Sequence, residues 1–178
     1  MAVATRRLAS TPAYQWGGFT LFVATATILA ALASEHIGGY APCPLCLMQR
    51  WAYYAGIPLL FLGLVLVSAG QRGLAATVFF VVALAFLANA GLAVFHAGVE
   101  WKFWPGPDTC AGNAMAPLTG SAGQGVLGGL NDVRVIRCDE APFRVLGLSM
   151  AGWNAIVCLA LMVGALKAAM AAAERDTL

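Results

Sequence analysis

Four stretches of this chain run for eighteen residues or more without a charged side chain: 16–33, 51–68, 74–94 and 145–166. The first is interrupted only by Thr20, Thr25 and Thr27. About twenty apolar residues in a helix cross the hydrocarbon core of a bilayer. In lipid every backbone N–H and C=O must find its partner within the segment, which selects helices over open strands. The pattern therefore predicts an all-α membrane protein, a four-transmembrane-helix bundle, organised as a single membrane domain over 1–178. Pro58 falls inside the second segment, where a kink is tolerated.

Composition agrees with the pattern. Of 178 residues, 61% are hydrophobic and only 10% charged, against about 25% charged in a soluble domain. The net charge of +2 and the absence of a basic run leave no case for nucleic acid. The lipid bilayer is the expected surrounding. Ala31-Leu32-Ala33, downstream of Arg6-Arg7, resembles a signal-peptidase site, but the first segment is read as a retained span.

Four spans put both termini on one side. Connections 35–49 and 95–144 then lie on the other. Arginine and lysine do not orient the bundle. Arg6, Arg7, Arg72, Lys167 and Arg175 on the terminal side balance Arg50, Lys102, Arg134, Arg137 and Arg144. Cysteine placement does orient it. Cys43, Cys46, Cys110 and Cys138 all fall away from the termini, and paired cysteines persist in oxidising compartments. The expectation is a multi-pass protein of a bacterial inner membrane, with cytoplasmic termini and two periplasmic cysteine loops. Cys158, mid-span, is expected to behave as a small hydrophobe.

The first loop ends in Pro42-Cys43-Pro44-Leu45-Cys46-Leu47-Met48-Gln49-Arg50. Pro44 suits the first position of a helix, which makes Cys43 the N-cap and Cys46 the third helical residue. Unpaired N–H groups and the helix dipole favour an anion there, so the Cys46 thiolate is expected to be stabilised. Arg50 lies one turn further on the same face and carries a permanent charge. A zinc site is the rival reading of Cys-x-x-Cys, but Cys110 and Cys138 do not form a second knuckle, and no metal is expected. A purely structural disulfide across two residues would close almost no loop.

The second loop begins Trp101-Lys102-Phe103-Trp104-Pro105-Gly106-Pro107-Asp108-Thr109-Cys110. Its aromatics suit an interfacial belt, and Pro105-Gly106-Pro107 breaks any helix. Val126, Leu127, Leu130 and Val133 recur at the spacing of a short helix on the membrane surface. A Cys110–Cys138 disulfide would close 29 residues and as a staple would contribute about 3–4 kcal/mol. On a flexible loop the same bond is open to attack by an outside thiolate, leaving Cys138 to attack the first pair. No haem motif, dinucleotide-binding turn or reductase domain is present to take the electrons. A lipid-soluble quinone held near Cys46, Arg50 and His96 is the candidate sink.

These residues resemble the DsbB family of disulfide bond formation proteins. The resemblance rests on four spans, Pro42-Cys43-Pro44-Leu45-Cys46 with Arg50, Trp104-Pro105-Gly106-Pro107 before Cys110, Cys138, and Leu146-Gly147-Leu148-Ser149-Met150 leading into Trp153. It implies a membrane oxidoreductase that sustains protein disulfide formation. A DsbA-type periplasmic thiol oxidase would attack the Cys110–Cys138 disulfide, with Cys110 carrying the mixed disulfide. Cys43–Cys46 would reoxidise the resulting dithiol, and Cys46 would face ubiquinone or menaquinone. Arg50 and His96 would lie at the quinone. Two rivals stand beside this reading. Vitamin K epoxide reductase-like enzymes place their active pair late in the chain, unlike this one. A disulfide-stapled scaffold would have no need of Arg50. A transporter would need charged residues within the spans, and Asn89 and Asn154 are read as helix–helix hydrogen-bonders.

Overall fold

A computed structural model describes residues 11–107, 138, 141 and 144–174. Four helices dominate it: α1 (Pro12–His36), α2 (Pro44–Ser68), α3 (Arg72–Glu100) and α4 (Met150–Ala173). All four are long and apolar enough to cross a membrane. The fold is thus the expected four-helix membrane bundle, and the protein is a multi-pass membrane protein. The surface helix expected around Val126–Val133, like Cys110, lies outside the described residues.

Each helix outruns its uncharged stretch. A 25-residue helix is about 37 Å long, more than the roughly 30 Å of hydrocarbon, so its ends reach the polar interface. Glu35, Arg50, His96 and Glu100 therefore belong to helix ends rather than to loops, just beyond the uncharged stretches. The fourth helix departs the other way at its start. It begins at Met150, because residues 144–149 form a hairpin pairing Arg144 with Ser149 and Val145 with Leu148. Leu146 and Gly147 turn it at φ 53° and 83°, the left-handed pair of a two-residue hairpin. Ser149 then caps α4, accepting the Gly152 N–H at 3.2 Å, and Trp153 donates its indole N–H to Val145 O at 3.0 Å.

The helices form a ring in which α1 packs on α2 and α4, and α3 packs on α2 and, most extensively, on α4. Phe79 and Phe86 of α3 are fully buried at its centre. They fit because the facing positions are glycine. A Cβ on Gly63 would stand 2.6 Å from the Phe79 ring, and one on Gly56 3.1 Å from Phe86. Small residues let helices approach where lipid supplies no hydrophobic drive. Phe22, Phe61 and Trp51 point outward, 71, 62 and 72% exposed, as a lipid-facing surface requires. Thr20, Thr25 and Thr27 each donate to the carbonyl four residues back, at 2.7–2.8 Å. Hydroxyls satisfied in this way can face lipid or a neighbouring helix.

Candidate redox site at one end of the bundle

The C-terminal ends of α1 and α3 meet the N-terminal ends of α2 and α4 at one end of the bundle. Cys43 is the N-cap of α2 in extended conformation, φ −76° and ψ 165°, with Pro44 in the first turn. Cys46 is consequently the third helical residue, as the motif predicts. The two sulfurs lie 3.0 Å apart. Both are free thiols, as is Cys158, whereas Cys138 is disulfide-bonded.

The anion-stabilising geometry belongs to Cys43 rather than to Cys46. A capping side chain accepts the N–H of the third residue, and Cys43 Sγ does so from Cys46 N at 3.3 Å. Cys46 Sγ lies 3.0 Å from the same sulfur, and His96 Nε2 stands 3.6 Å from it. Together these hold the Cys43 thiol down at about 4. The Cys46 thiol contributes most, and the His96 and backbone donors add to it against the opposing effect of burial. The sequence identified the helix start but assigned its charge to the third residue. At a cap, the sulfur that accepts the N–H is the one preceding the helix.

A pH profile checks this. A group with a lowered pKa stays ionised until the pH falls to that value. The pH dependence of Cys43 alkylation in the reduced protein, followed by peptide mass, should therefore be flat down to about 4. A rate that falls about tenfold per unit below the ordinary thiol pKa of about 8.5 would refute the assignment.

Burial distinguishes the cysteines. Cys43 and Cys138 are 5% and 1% exposed and share one buried cluster with Leu45 and Val99. Cys46 packs against that cluster and is only half-buried. Cys138 thus lies on the Cys43 side of the first pair. Cys43, Cys46 and His96 also offer three donor atoms within 4.8 Å of one another, a set able to ligate a metal ion that sequence spacing alone did not disclose.

Arg50 pairs with Glu35 at the end of α1. The two side chains are 12% and 26% exposed. Glu35 had no motif to mark it, and its role follows only from the packing of α1 on α2. His96 lies deeper than a surface ligand would, 2% exposed. Its Nδ1 receives the Gln49 amide at 2.9 Å, and its Nε2 stands 3.9 Å from Glu100 Oε1. From Gln49 a partly buried chain runs on through Asn154 (2.6 Å) to Tyr53 (2.6 Å). Cys158 joins it, 3.4 Å from the Tyr53 hydroxyl and accepting from Asn89 at 3.2 Å. Asn89 and Asn154 are interhelical hydrogen-bonders, as expected. Cys158 is more than a small hydrophobe, because its sulfur is hydrogen-bonded.

Comparisons with known proteins bear on this arrangement. The family model for disulfide bond formation protein DsbB matches residues 14–168. A disulfide bond formation protein B of Aromatoleum aromaticum is 33% identical over 149 residues, 80% of this chain and 83% of its own. One from Marinobacter nauticus is 29% identical, covering 82% and 85%. A disulfide bond formation protein B 1 of Pseudomonas fluorescens is 33% identical, covering 79% of each. No solved structure matches the chain significantly. With four apolar helices, a cysteine pair capping the second and a further disulfide-bonded cysteine buried beside it, the chain belongs to the DsbB family of membrane oxidoreductases in disulfide bond formation.

Proposed function

We propose that this protein is a thiol:quinone oxidoreductase of the bacterial inner membrane that reoxidises a DsbA-type periplasmic thiol oxidase. It does so as a single membrane domain, with cytoplasmic termini and periplasmic cysteine loops. The observation that carries the reading is the pair of free sulfurs 3.0 Å apart, buried on the Cys43 side with Cys138 and more open on the Cys46 side.

The relay conserves electrons at each exchange. A thiolate of the reduced partner attacks Cys110 of a Cys110–Cys138 disulfide, and the partner's second thiolate displaces Cys110. The partner leaves with a disulfide, and Cys110 and Cys138 leave as thiols. Cys138 then attacks Cys43 of the oxidised first pair, releasing Cys46. Cys110 resolves the Cys43–Cys138 bond, so the Cys110–Cys138 disulfide returns and the electron pair rests on Cys43 and Cys46.

The residues fit a quinone by their chemistry. Quinone oxygens accept hydrogen bonds, and Arg50 brings a planar fork of donors one turn from Cys46. Leu47, Met48 and Trp51, 47, 56 and 72% exposed, offer an apolar wall beside it. When bound, ubiquinone or menaquinone supplies a sink for two electrons and two protons. Cys43 and Cys46 close to a disulfide as their electron pair leaves. The Cys46 thiol gives up one proton, and the medium returns the proton that Cys43 had already lost. His96, buried against Cys43, serves the sulfur rather than the carrier.

The test mixes purified protein, a reduced DsbA-type oxidase and a soluble quinone, and follows quinone absorbance. The wild type should consume quinone, whereas Cys110→Ser should lose coupling to the partner yet still bind quinone. An inert wild type would favour a stapled scaffold, and full turnover by Cys110→Ser would overturn the relay order.

A further inference from the structure

Two independent sets of neighbours constrain the proton on His96. On one side, Asn154 Oδ1 accepts from the Tyr53 hydroxyl at 2.6 Å and from the Cys158 thiol at 3.6 Å. An amide whose oxygen faces donors must turn its nitrogen the other way, and Asn154 Nδ2 donates to Gln49 Oε1 at 2.6 Å. Gln49 is left with its own nitrogen toward His96 Nδ1, at 2.9 Å. A ring nitrogen that faces an N–H donor must present a lone pair. On the other side, Nε2 faces the Cys43 sulfur at 3.6 Å and Glu100 Oε1 at 3.9 Å, both acceptors when ionised. The Gln49 side places the proton on Nε2, the Cys43 side can receive it there, and Gln49 and His96 are themselves buried.

We infer that Gln49, anchored by Asn154, is a positioning residue that locks His96 as the Nε2–H tautomer, aimed at Cys43. The inference rests on the redox role proposed for the Cys43–Cys46 pair. His96 then acts on the sulfur as a fixed hydrogen-bond donor. The other ionisable groups near this cluster are Cys46 on α2, Glu100 on α3 and Arg144 in the hairpin before α4. Glu100 Oε2 is buried without a hydrogen-bond partner among the described residues, so an acceptor stays available on the Nε2 side.

Nitrogen NMR of the full-length reduced protein in nanodiscs reads the tautomer directly. The chain has two histidines, so a His36→Gln background leaves His96 alone. The expected spectrum has a protonated Nε2 and an imine-type Nδ1 shifted by hydrogen bonding. Gln49→Met keeps the side-chain size and removes the donor, so the Nδ1 signal should move to that of a free imine nitrogen. Gln49→Glu presents an acceptor instead, so a proton should appear on Nδ1. Asn154→Leu should move Nδ1 in the same direction as Gln49→Met, although it does not touch the ring. A purely structural role would not reverse the protonated nitrogen between two variants of equal size. A protonated Nδ1 in the protein with native Gln49, or a spectrum unchanged by Gln49→Glu, overturns the inference. The measurement needs neither partner nor quinone, so it stands or falls separately from the quinone assay on the wild type.

Discussion

Cys46→Ser is expected to abolish quinone reduction, leaving only the uncatalysed reaction. The reaction requires a sulfur–sulfur bond to form as two electrons leave, and serine oxygen cannot supply one. Cys43 alone has nothing to close on within the pair and at most remains trapped with Cys138. The effect separates chemistry from folding, because Cys46 is only half-buried and serine is close to it in size. Cys46→Ala, which leaves no side-chain donor, also removes the group that contributes most to lowering the Cys43 pKa, so alkylation of Cys43 in that variant should regain a pH dependence that the wild type lacks. Quinone consumption at the wild-type rate by Cys46→Ser would mean that electrons leave from another sulfur, and the exit assigned to Cys46 would be abandoned.

The features legible in the sequence are those set by local chemistry. Uncharged runs mark the spans because the cost of charge in lipid acts residue by residue. Pro44 announces the helix start at Cys43 because its fixed φ and missing N–H suit that position. Helix ends are less legible, because beyond the apolar run the choice passes to partners distant in sequence. Glu35 extends α1 where Arg50 of α2 meets it. Val145 and Leu148 pair in a hairpin where apolar composition alone read as a helix. The site divides along the same line. Four cysteines declared themselves by spacing, whereas Gln49, Glu100 and Tyr53 carried no signal, since each matters only through a neighbour on another helix. One clue was available: Gln49 lies four residues before Tyr53, on one face of α2, as expected of a polar stripe inside a bundle.

The same reasoning predicts where the bundle is most easily broken. Phe79 is fully buried, and its ring occupies space left by glycines on two other helices, Gly17 of α1 and Gly63 of α2. A Cβ on either would come within 3.0 Å of the ring. Within a bilayer, lipid chains are as apolar as the side chain, so the ring is held by close packing rather than by exclusion from water. Phe79→Ala removes that packing on both faces at once, and glycines opposite cannot refill the space. A loss of about 3–5 kcal/mol is expected, the range for emptying a buried phenylalanine site. Denaturant-induced unfolding in mixed micelles measures it, with helix content as the signal. Phe61→Ala, on the same kind of helix but 62% exposed toward lipid, should lose far less. Equal losses for the two would show that side-chain size in lipid, rather than the glycine-lined seat, holds α3 against α1 and α2.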